Sequence, residues 1–123
     1  MIRTVLAALA LIGAATPDET HVAVPRGAPQ ELVVLERVFP VGGSSGWHTL
    51  PGIEIGRVVA GVTEMRRADG TARRYAAGET FVIPRGIVHN GVNVGTEPAR
   101  LVITYLVDKG RPIRTPAPDP HAH

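Results

Sequence analysis

Short apolar runs punctuated by glycine and proline are the feature that most limits what this chain can become. Fourteen glycines and eleven prolines fall among 123 residues. No collagen-like period is present, and no stretch after residue 15 sustains a helical repeat. Apolar, β-branched segments of strand length recur instead, at about 8–12 residue spacing with turn residues between them, which is the pattern of a sandwich or barrel. The segments are Glu31 to Phe39, Gly46 to Leu50, Ile53 to Ala60, Val62 to Arg67, Ala72 to Ala76, Thr80 to Ile83, Ile87 to Val94 and Ala99 to Val107. Asp69-Gly70 between two of them reads as a two-residue type I′ turn. That register would set Arg66 opposite Arg73.

Several strands are apolar on both faces. Leu32 and Val34 alternate with Val33 and Leu35, and Val102 and Leu106 alternate with Leu101, Ile103 and Tyr105. Such strands are covered on both sides. One face lines a barrel interior, and the other needs the N-terminal lead-in or a second subunit, so a homodimer is expected.

The organisation follows from local composition. Met1-Ile2-Arg3, the apolar run to Ile12 and the small residues Gly13-Ala14-Ala15 have the three-part layout of a secretory signal peptide. The apolar run is too short for a membrane-spanning helix, which needs about 20 residues. Residues 1–15 are therefore expected to be removed and the mature protein to be exported, periplasmic or extracellular, with no stable membrane span. Residues 16–30 read as an extended N-terminal segment pairing at a sheet edge near His21 to Val24. Residues 31–107 read as the barrel, and residues 108–123 as a flexible proline-rich tail. The chain has no cysteine, so its core alone must hold it and no thiolate chemistry is available. A net charge of +2 gives no reason to expect a nucleic-acid partner.

Chemistry concentrates in three side chains. His48 and Glu54 lie six residues apart across the Pro51-Gly52 turn, and His89 follows the turn Pro84-Arg85-Gly86. Two imidazoles and a carboxylate are donors a divalent transition metal accepts. Leu50 lies two residues after His48, on the same face of a strand, where a further ligand would be expected. Asn93 and His89 share a face with Gly91 between them. Asn93 suits bonding to loop backbone. Gly52, Gly61, Gly78 and Gly86 read as turn residues with positive φ.

The spacings resemble a known family. Gly42, His48, Glu54 and Gly61 resemble the first motif of the cupins. Gly78, Pro84, Arg85, Gly86, His89 and Asn93 resemble the second. The stretch from Trp47 to Gly56 is similar to small exported bacterial members. The resemblance covers about Glu31 to Val107 and implies an all-β, small antiparallel jelly-roll barrel. It implies that His48, Glu54 and His89 point inward onto one metal, and that Leu50 stands where the family has another histidine ligand. The implied ion is Fe, Mn, Zn, Ni or Cu. The implied activity is that of a metal-dependent oxygenase or lyase on a small organic molecule, with Glu54 as catalytic base. The alternative is a non-catalytic barrel binding a small-molecule ligand with a degenerate site or no metal, its mouth lined by Leu50, Val58, Ile87 and Asn93.

Overall fold

The computed structural model describes residues 19–122; the signal-peptide expectation for residues 1–15 lies outside them. Ten strands form two antiparallel sheets. They are β1 (Glu19–Val22), β2 (Gln30–Phe39), β3 (His48–Thr49), β4 (Gly52–Ala60), β5 (Val62–Arg67), β6 (Ala72–Ala76), β7 (Thr80–Ile83), β8 (His89–Asn93), β9 (Ala99–Asp108) and β10 (Thr115–Pro116). One sheet runs β1-β2-β9-β4-β7 and the other β10-β3-β8-β5-β6. Facing one another, they make the expected jelly-roll barrel, and no described residue is helical.

The first sheet is the scaffold. β2 and β9 pair without interruption from Gln30 opposite Asp108 to Phe39 opposite Ala99. Their β-branched and aromatic residues suit a pleated, packed surface. Inward positions supply most of the core: Val33, Leu35 and Phe39 from β2, Val58 from β4, Phe81 and Ile83 from β7, and alternate residues from Ala99 to Val107 on β9. β4 alternates buried and exposed along its length, so Glu54 points inward and its neighbours Ile53 and Ile55 outward.

Two glycines in β4 are fixed by close approach. A Cβ on Gly52 would stand 1.9 Å from the Leu106 carbonyl oxygen, and one on Gly56 would stand 2.0 Å from the Phe81 ring. Gly52 therefore departs from the expected positive-φ role, which Gly61, Gly78 and Gly86 do fill. The glycine at position 52 lets β9 run against the start of β4. Arg85 secures the same corner, with two bonds to Asp108 at 2.8 and 2.9 Å and one to the Pro51 carbonyl at 2.9 Å.

Other sequence expectations change. The β5–β6 connection is a three-residue loop. The Arg67 amide bonds the Thr71 carbonyl, and the Gly70 amide bonds the Arg67 carbonyl. Only Gly70 has positive φ there, while a type I′ turn needs two such residues. Arg66 thus faces Ala72, and Met65 faces Arg73. Glu64 bridges Arg66 at 2.8 Å and Arg74 at 3.1 Å, so these two arginines share one carboxylate. The two guanidiniums hold the Glu64 carboxyl below its ordinary range.

The tail is also structured. Thr115 and Pro116 pair with Thr49 and His48, the Ala117 amide bonds the Trp47 carbonyl, and the His121 ring meets Trp47 edge-on at 5.9 Å. An edge strand tolerates proline, because its outer amides need no partner. The lead-in joins the other sheet as edge strand β1, with Glu19 to Val22 opposite Leu35 to Leu32. It extends the scaffold sheet and leaves the outer face uncovered.

Candidate metal centre

β3 and β8 place the two histidines opposite one another, His48 against His89. Their ring centroids lie 4.3 Å apart. Glu54 reaches the same point from the scaffold sheet. One ligand atom from each of the three residues lies within 4.8 Å of the others, and all three residues are buried. Side chains separated by up to forty-one positions thus meet because two short strands of one sheet face one strand of the other.

The turns before each histidine set its ring. His48 Nδ1 lies 2.8 Å from the Gly46 carbonyl, and His89 Nδ1 lies 2.8 Å from the Ile87 carbonyl. In both cases the partner is the carbonyl two residues earlier. A carbonyl only accepts, so Nδ1 carries the hydrogen and a neutral ring keeps its lone pair on Nε2. Metal-binding histidines are commonly fixed this way by their second nitrogen. Burial is the largest influence on His48 and lowers its pKa to about 4, so its ring is neutral at pH 7.

His89 Nε2 lies 3.0 Å from Glu54 Oε1, both nearly inaccessible to water. With Nδ1 donating to Ile87, a neutral His89 turns a lone pair toward a carboxylate oxygen. Two such lone pairs need a cation between them, either a proton or a metal ion. The donor set therefore fits a divalent transition metal held by His48, Glu54 and His89.

The cavity around the three residues encloses about 20 Å³, room for roughly one water-sized object. Its lining differs from the expected mouth. Leu50, Val58, Ile87 and Asn93 are not part of it. Leu50 and Val58 are buried in the apolar core, and Ile87 packs against that core. Asn93 secures the following loop: its amide donates to the Phe39, Pro40 and Glu97 carbonyls, and its oxygen accepts from the Gly95 amide. The backbone-bonding role holds for Asn93, and the pocket role does not. Gly91 does line the cavity, where a Cβ would crowd the end of Met65 at 3.1 Å.

Two arginines that the sequence reading passed over, Arg37 and Arg114, also line the cavity. Arg37 follows Val33 and Leu35 on the inward-facing series of β2. That alternation was the available signal, hidden because β2 is apolar on both faces. Arg114 lay in a segment whose prolines argued against order.

Comparison with known proteins agrees with this architecture. Residues 35–106 match the family described as "Cupin domain". Oxalate oxidase 1 of Hordeum vulgare is 39% identical over 82 residues, covering 59% of this chain and 41% of that protein. The chain thus spans less than half the length of this curated relative. A solved structure of a Cupin 2 conserved barrel domain protein from Salinispora arenicola CNS-205 superposes with a TM-score of 0.56. Its identity is 27%, with 74% of this chain and 75% of that chain covered. A recombinant oxalate oxidase in complex with glycolate superposes with a TM-score of 0.59 at 28% identity, covering 83% of this chain and 57% of that one.

Proposed function

The chain belongs to the cupin family, and from that premise we propose that it is a metal-dependent oxygenase or lyase acting on a small organic molecule. His48, Glu54 and His89 hold one divalent transition metal in this reading. The ion supplies Lewis acidity and open coordination positions for a small substrate. The chain's own part is to orient that substrate, keep water out of a cavity with little spare room and, through the Glu54 carboxylate, accept a proton. The observation that carries the reading is the 3.0 Å approach of His89 Nε2 to Glu54 Oε1, with both imidazole rings tied back by their other nitrogen.

Leu50 stands where the family has a further histidine ligand, so three protein donors remain. Metal content of the purified protein, measured by mass spectrometry, tests the site. About one equivalent per chain is expected, lost in His89→Ala. Absence of metal under every loading condition would end the reading.

A second reading is a non-catalytic small-ligand-binding barrel with a degenerate site. Leu50 in place of a fourth ligand favours it. Turnover of small organic acids by the metal-loaded protein separates the two.

Export and a homodimer belong to the same proposal. The N-terminal sequence layout supports export. For the dimer, the support is the outer face of the scaffold sheet, where Val22, Ile53, Ile55 and Val82 are exposed. Leu32, Val34 and Leu106 are half-buried on the same face. Nothing in the described chain covers them.

A further inference from the structure

Arg37 occupies a position where every alternate neighbour on its strand, from Val33 to Phe39, is buried and apolar. A charge directed into a barrel is costly unless something compensates it. Among the described residues Arg37 has no ion-pair partner. Its guanidinium lies over the Phe39 ring, 5.4 Å from the centroid.

Arg114 arrives from the opposite side. The next two residues pair with the strand that carries His48, and Arg114 donates to the Ser45 carbonyl at 2.8 Å. It too has no ion-pair partner among the described residues. Burial, and after it the charge of Arg37, push the Arg114 pKa below its ordinary value against smaller opposing contributions from Tyr105 and Glu54, as expected of two cations brought to one cavity that holds a single carboxylate.

Glu54 is the one carboxylate among the residues lining that cavity. Two guanidiniums against one carboxylate leave a surplus positive charge, and a divalent ion would enlarge it. A guanidinium presents a planar fork of donors that matches a carboxylate. The enclosed space holds about one water-sized object, so a ligand must be small and must sit at its mouth rather than within it.

We propose that Arg37 and Arg114 form an anion receptor at the mouth of the cavity, selecting a small carboxylate of two or three carbons as the ligand of the site. The C-terminal segment is then part of the binding machinery, because it delivers Arg114. The inference rests on the metal-site reading and names the substrate class for it.

Calorimetric titration of glycolate into the zinc-loaded full chain tests the pair. Arg37→Gln and Arg114→Gln should each weaken binding about tenfold or more, with zinc content unchanged. Arg114→Lys, which keeps the charge and loses the fork, should fall between Arg114→Gln and the unaltered chain. Glycolamide, the neutral counterpart, should not bind at millimolar concentration.

Equal glycolate binding by the glutamine variants and the unaltered chain would overturn the proposal. So would equal binding of glycolamide, or no glycolate binding by the zinc-loaded chain. Inorganic phosphate binding as tightly as glycolate would overturn the carboxylate assignment. If the chain takes up no zinc but still binds glycolate in an Arg114-dependent way, the receptor stands and the metal reading falls.

Discussion

The two sheets of the barrel do different work. The scaffold sheet contributes every residue of the buried apolar core except Leu50 and Met65. Its buried polar side chain is Glu54. The facing sheet buries His48, Thr63, His89, Asn90 and Asn93, on shorter strands with fewer apolar residues. Stability is thus concentrated on one side and chemistry on the other. Buried polar groups are costly unless satisfied, and a sheet of long apolar strands supplies the stability that offsets them. Glu54 is the exception that joins the two halves, and His89 is its partner across the barrel.

Substitutions on the two sides should separate this division. The largest effect is expected from Leu101→Ala in the scaffold. Leu101 is fully buried, and removal of its side chain should cost about 2–5 kcal/mol in chemical denaturation while leaving metal stoichiometry unchanged. Metal loss before any loss of stability would break the division.

Asn93→Ala should come next. It strips one donor from three carbonyls and one acceptor from the Gly95 amide, at a cost of about 1–3 kcal/mol. Because Asn93 secures a loop and does not face the cavity, metal affinity should hold.

Acid should act on the facing sheet. The folded His48 pKa, about 4, lies below its unfolded value of 6.5. The unfolded chain therefore binds more protons between those values, and stability falls as pH drops from about 6.5 toward 4. For the metal-free protein the loss should be about 2 kcal/mol after discounting for water access, measured by urea denaturation across that range. His48→Gln should flatten the dependence.

Thr63→Val should have the smallest effect. The Thr63 hydroxyl is buried with no hydrogen-bond partner among the described residues, so the similarly shaped apolar residue should be neutral or stabilising by up to about 1 kcal/mol in the same denaturation experiment. A marked loss would show a hidden partner for that hydroxyl and weaken the contrast between the sheets.

The division also explains what the sequence disclosed. His48, Glu54 and His89 were legible because each follows a turn marked by glycine or proline, and because strand alternation places them inward. The scaffold strands were legible from their apolar runs. Arg37 was not, since β2 is apolar on both faces and alternation alone cannot tell in from out. Arg114 and β10 were hidden by proline density, which also suits an edge strand. The β5–β6 register was misread because Asp69-Gly70 fits both a two-residue and a three-residue loop, and only the backbone at Asp69 decides between them. Leu50 shares the buried side of His48, as alternation requires, yet packs into the core, a distinction that depends on neighbours distant in sequence.

The most direct test of the central claim is a titration of cobalt(II) into the metal-free protein, followed by visible absorption. The account predicts saturable ligand-field bands at about one equivalent per chain, absent in His89→Ala. Bands of equal strength in His89→Ala, or none in the unaltered protein, would contradict the convergence of His48, Glu54 and His89 on one metal ion.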